Sequence, residues 1–190
     1  DKEYIKITFP DGRKQDFKYG TTGYDIAKSI SPSLLKKAIA IEIDGSEQDL
    51  CENISNDANI SILTLNDNKG LSIMRHTLTA QVLAKALKNL YPNVKLAIGP
   101  VIENGFYYDF DLDKSITIQD LPKIEKEMKK IISSGNEIEK KYLSKKKVAD
   151  LFRNKNETYK VDIIEGSEQQ GNFSTYYQKN TDFVDLCYGP

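Results

Sequence analysis

The chain has 190 residues, 27 basic against 28 acidic side chains for a formal net charge of −1, 39% apolar residues and a mean hydropathy of −0.52. That length allows one ordinary domain or two small ones, each able to bury a core without staples. No apolar run approaches the about 20 residues that span a bilayer, the start Asp1-Lys2-Glu3-Tyr4 lacks a signal-peptide pattern, and Cys51 and Cys187 form neither a disulfide framework nor a zinc finger, which together point to a reducing cytoplasm.

Residues 4–9 alternate in polarity, Pro10-Asp11-Gly12-Arg13 is a turn, and 14–18 return, which predicts a β-hairpin. Thr21 or Thr22 then caps a helix in which Ile26 and Ile30 share a face, and Ser31-Pro32 interrupts it. Strands follow at 38–43 and 59–65, with Asp44-Gly45 as a tight turn. Two strands, a helix and two further strands predict a small mixed sheet with a helix on one face. The polar run Asn66-Asp67-Asn68-Lys69-Gly70 reads as a break, so the chain divides into a first domain at 1–66, a linker at 67–71 and a second domain at 72–190.

The second domain opens with a long helix from Ser72 to about Leu90, followed by strands at 95–100 and 105–110. Helices at 120–132 and after Ser144, with strands near 137–143, 159–164, 173–177 and 183–187, make it α+β, its helices lying on an antiparallel sheet.

Three stretches exceed structural need: Met74-Arg75-His76-Thr77-Leu78-Thr79-Ala80-Gln81, which holds the single histidine; Gly99-Pro100-Val101-Ile102 with Gly105-Phe106-Tyr107-Tyr108-Asp109; and Asp185-Leu186-Cys187-Tyr188-Gly189-Pro190. In this order they resemble the amino-terminal half of the bacterial-type threonyl-tRNA synthetase family. The resemblance implies a ubiquitin-like β-grasp TGS domain followed by an editing domain. Such a domain hydrolyses the ester of mischarged seryl-tRNA at the 3′-terminal adenosine of the tRNA acceptor end. It is needed because one missing methyl gives only about 1–3 kcal/mol of discrimination, so a second, hydrolytic sieve must act. ATP-dependent ligation, a catalytic-core zinc and homodimerisation are expected only of the full-length enzyme; these residues alone are expected to be monomeric, without cofactor and without a membrane.

Carried over by position, the resemblance assigns Tyr108, Lys160, Asp185 and Cys187 to the editing pocket. The histidine closing its Asp-x-Cys-x-x-x-His segment would follow Pro190, so the domain is expected to continue there. The family reads Arg-His-x-x-Ala-His where this chain is one residue longer and ends in Gln81. Anchored at Arg75, His76 is the first histidine of the pair; anchored at Val82-Leu83-Ala84, Thr77 takes that place. One extra residue turns a helix face by about 100°, so the helix must absorb it as a π-bulge or at a frayed start.

Physical roles follow from the chemistry of ester hydrolysis, which needs a positioned water, a proton acceptor and donors for an oxyanion. His76 reads as the base or as a surface capping group, and Lys160 as the group orienting water or stabilising charge, or as one more solvated lysine. Asp185 reads as the partner of the substrate's amino group or of nearby backbone donors, and Cys187 as a side-chain sensor or plain packing. Tyr108 stacks on the terminal adenine, bonds its ribose, or fills the core, and Gln81 stands where a second histidine would touch substrate. One histidine and one cysteine cannot assemble a three- or four-ligand site, so no metal is expected. The lysines around 126–147 alternate with glutamates and read mainly as a solvated face.

Overall fold

A computed structural model describes residues 3–97 and 99–190; Ile98, within the predicted strand 95–100, lies outside them, as do Asp1 and Lys2. The chain forms two compact units that divide between Met74 and Arg75, the first also taking in Gly189–Pro190.

In the first unit the hairpin forms as predicted, with β1 (Tyr4–Thr8) and β2 (Lys14–Lys18) antiparallel. β3 (Thr21–Thr22) leads into α1 (Gly23–Ile30), where Thr22 accepts the Asp25 N–H and the Asp25 carboxylate takes the Thr22 N–H in return, a reciprocal cap. Ser31-Pro32 does break the helix, yet Ser31 at once caps a second, α2 (Pro32–Lys37), with proline in the first turn where its missing N–H costs nothing. β4 (Ala38–Ile43), β5 (Ser46–Gln48), β6 (Asn53–Ile54) and β7 (Ala58–Thr64) complete the unit. The main sheet runs β2-β1-β7-β4-β5, with β1 and β7 parallel and the other pairs antiparallel. Period-two alternation sends Ile5, Ile7, Ile41 and Ile60 to the face covered by Ile26 of α1.

Residues 68–71 of the predicted linker are helical: α3 runs Asn68–Thr77. Asp67 takes the Thr64 N–H on its carboxylate and the Leu71 N–H on its carbonyl, so polar residues that read as a loop are a helix start. A Cβ on Gly70 would lie 2.0 Å from the Thr64 carbonyl oxygen, so only glycine lets α3 begin this close to β7. Ile73 of α3 then packs with Ala40 and Leu63.

In the second unit the helix continues through a π segment, Leu78–Leu83, into α4 (Ala84–Leu90). The two predicted strands that follow are a nested hairpin of short ladders: β8 (Lys95–Leu96) pairs with β11 (Phe110–Asp111) outside β9 (Val101–Ile102) and β10 (Gly105–Phe106). α5 (Leu121–Ser134) ends at Gly135 with φ +62°, the left-handed conformation glycine adopts freely. β12 (Ile138–Leu143) precedes α6 (Lys145–Asn154), capped by Ser144. The predicted strand 159–164 is instead a helix, α7 (Thr158–Gly166), because Lys160, Val161 and Ile164 share one buried face. β13 (Phe173–Gln178) lies between β12 and β14 (Val184–Leu186) in an antiparallel sheet. Val148, Phe152, Val161 and Ile164 of α6 and α7 pack with Phe173 and Val184 of that sheet.

Candidate functional site

The extra residue near His76 is absorbed as a π segment rather than at a frayed end. The Ala84 N–H reaches the Thr79 carbonyl five residues back, and the Thr79 hydroxyl donates to the Arg75 carbonyl at 2.8 Å. His76, Thr79 and Ala80 thereby line one cavity. Gln81, predicted to touch substrate, is not among its lining residues. It is buried, and the Gln178 amide donates to both its carbonyl and its side-chain oxygen, each at 3.1 Å. With its oxygens satisfied there, Gln81 serves the core instead.

A further part of the lining comes from β13, β14 and the residues that follow. The Ser174 hydroxyl donates to the Cys187 carbonyl, and the Cys187 N–H donates to the Ser174 carbonyl at 3.3 Å, which fixes the chain just past β14. Cys187 Sγ lies 3.1 Å from His76 Nε2, across 111 residues of sequence. Two residues earlier, buried Asp185 holds the Lys160 ammonium, Oδ1 to Nζ 3.3 Å. Lys160 projects from α7 with only 6% of its side chain exposed and lies 3.9 Å from Glu157, which binds Lys88 at 2.6 Å and accepts the Leu96 N–H. Lys88, Glu157, Lys160 and Asp185 thus form a string of alternating charge, the arrangement that makes burial of such groups tolerable.

Burial pushes the Asp185 carboxyl above its ordinary pKa, and the Lys160 ammonium, the Leu186 N–H and His76 only partly offset this. Burial also raises the pKa of the Tyr108 phenol, with Asp185 and Glu157 adding to the effect, so Tyr108 stays a neutral hydrogen-bonding group. Tyr107, its neighbour, is 64% exposed and does not line the cavity. Gly99 sets this segment: a Cβ there would stand 1.6 Å from the Tyr107 carbonyl oxygen, so glycine allows the two arms of the hairpin to close.

The cavity measures about 210 Å³; Ala80, Ala97, Ile163, Phe173 and Leu186 give it apolar walls, and His76, Tyr108, Lys160, Asp185 and Cys187 converge in it. All five were legible as candidates. Glu157 and Lys88 were not, although the spacing of Glu157 and Lys160 would have flagged the first had 158–166 been read as helical. Such a site can bind a cation at Asp185, move a proton at His76 and stabilise an anion at Lys160. Among the described residues no three His, Cys, Asp or Glu side chains lie close enough to hold a metal.

Residues 5–64 match the TGS domain family, and the first unit is such a domain. The chain is 45% identical over 99% of its length to the threonine–tRNA ligase of Agrobacterium fabrum. It is 47% identical over 98% to that of Clostridium botulinum, and 46% identical over 98% to that of Staphylococcus aureus. It spans 28–29% of the length of these relatives.

Proposed function

We propose that this chain, similar to threonine–tRNA ligases over almost all of its own length, is the part of such an enzyme that carries the TGS domain and hydrolyses mischarged seryl-tRNA. The observation that carries the reading is the convergence of His76, Lys160, Asp185 and Cys187 in one apolar-walled cavity. Asp185 takes the α-ammonium of the esterified amino acid. His76 accepts the proton of the attacking water, and the Lys160 ammonium stabilises the oxyanion that develops on the ester carbonyl. Apolar walls strengthen each of these interactions by excluding water. The Tyr108 hydroxyl, held neutral, contacts the terminal adenosine. The TGS domain lends an accessory surface to the tRNA.

In the competing reading the domain only holds the acceptor end, and Gln81 or Thr77 occupies the pocket in place of His76. The presence of His76 in the cavity and the engagement of Gln81 with Gln178 favour hydrolysis. The test is deacylation of seryl-tRNA specific for threonine, with the threonyl ester as comparison. The expected result is selective loss of the seryl ester, slowed at least about 100-fold by His76→Ala, within the usual range for a general base. Binding of tRNA without hydrolysis, or hydrolysis indifferent to His76, would overturn the proposal.

A further inference from the structure

Glu157 does not line the cavity, yet it is 4% exposed and stands 3.9 Å from the Lys160 ammonium. Its other partner, Lys88, is 23% exposed at the side chain and also donates to the Val94 carbonyl at 2.8 Å, so it has water and a carbonyl to fall back on. The four charges of the string balance when the pocket is empty. A substrate ammonium arriving at Asp185 adds a fifth, and two cations cannot share one buried carboxylate without leaving one of them uncompensated.

We infer that Glu157 is a positioning residue that provides a second seat for Lys160: when a substrate ammonium docks on Asp185, Glu157 becomes the counter-charge of Lys160, whose ammonium stays at the cavity wall within reach of the ester carbonyl, while Lys88 relaxes toward Val94 and solvent. The site therefore selects for substrates bearing a cationic group beside the ester, and Glu157 sets how readily that group displaces Lys160. The inference rests on the editing reading above.

The test compares two esters of the same tRNA: the seryl ester, and the α-hydroxy ester made from it by nitrous acid deamination, which lacks the ammonium. In Glu157→Gln the second seat is neutral, Lys160 stays on Asp185, and the ratio of the KM for the seryl ester to that for the deaminated ester rises at least tenfold. Because the single change leaves Lys88 without its carboxylate, Lys88→Met combined with Glu157→Gln removes the pair together and must give the same rise if the single variant does not fold. An unchanged ratio, whether or not both KM values rise together, would mean that Glu157 only supports the fold, and would overturn the inference while leaving hydrolysis by the unaltered chain intact. Absence of hydrolysis of either ester by the unaltered chain would remove the editing reading and this inference with it.

Discussion

In the proposed reaction Asp185 has to bind a cation from surroundings that disfavour its own charge. Burial raises its pKa; from the neighbouring elements Lys160 on α7, the Leu186 N–H and the His76 ring pull it back, and the Tyr108 phenol faces it as a neutral group. The sign of the consequence is fixed. A carboxyl whose folded-state pKa is raised contributes stability below its unfolded value and loses it as pH climbs through the folded value, so ionised Asp185 costs stability at neutral pH. Retaining that charge in the pocket is what a recognition site requires and a packing site does not. As pH falls, Asp185 takes its proton earlier than an ordinary carboxyl at 3.8 would, and its grip on an ammonium weakens first. The KM for the seryl ester should therefore rise on acidification, with a midpoint above 3.8, while the KM for the deaminated ester stays nearly level. Steady-state deacylation from neutral pH downward measures this, and comparing the two esters cancels every titration that both feel. Parallel curves would show that Asp185 does not hold the amino group.

At the scale of elements, the π segment decides what the cavity contains. Thr79 and Ala80 lie inside Leu78–Leu83 and His76 two residues before it, and the wide turn takes up the extra residue that would otherwise turn the upstream face by about 100°. Deleting Leu78 should remove the π segment together with the residue it absorbs, restore α-helical hydrogen bonding, keep or raise the melting temperature, and leave His76 in the cavity with hydrolysis within about tenfold of the unaltered chain. Circular dichroism with deacylation on the same sample checks it; lost activity in a shortened helix that still folds would refute the role given to the segment. The sequence already required such an adjustment, since an extra residue beside the histidine has to be absorbed somewhere. The hairpin, the Thr22 cap and the strands at 38–43 and 59–65 were equally legible, because alternation and capping are local, whereas the short β3, β5 and β6 carry too few residues to show a period. What stayed hidden depended on tertiary burial. Tyr159, Val161 and Ile163 alternate as a strand would, while Lys160, Val161 and Ile164 share a helical face, and only the burial of Lys160 beside Glu157 separates the two. Gln81 looked like a histidine substitute because its partner, Gln178, is 97 residues away.

For the whole molecule, the described residues that line the cavity all lie between His76 and Tyr188, while the core around Ile5, Ile7, Ile26 and Ile41 belongs to the TGS unit. Stability and activity should therefore respond separately to damage in the two cores. Ile26 is fully buried, and Ile26→Ala should cost about 2–5 kcal/mol by loss of transfer energy plus the cavity left behind. Phe152 is fully buried in the second unit, with its ring centroid 5.4 Å from the Lys160 ammonium, so Phe152→Ala should cost about 3–5 kcal/mol and also loosen the charge that faces Asp185. Calorimetry of the intact chain should resolve two transitions, with each substitution lowering one of them. Hydrolysis measured below both transitions should survive Ile26→Ala and be lost with Phe152→Ala. One transition moved equally by either change would mean that the cores melt together, and hydrolysis would then fail in both variants at the same temperature. Two transitions with hydrolysis following only the second would place the chemistry in the unit that holds Lys160 and Asp185, leaving the TGS unit to act through tRNA binding.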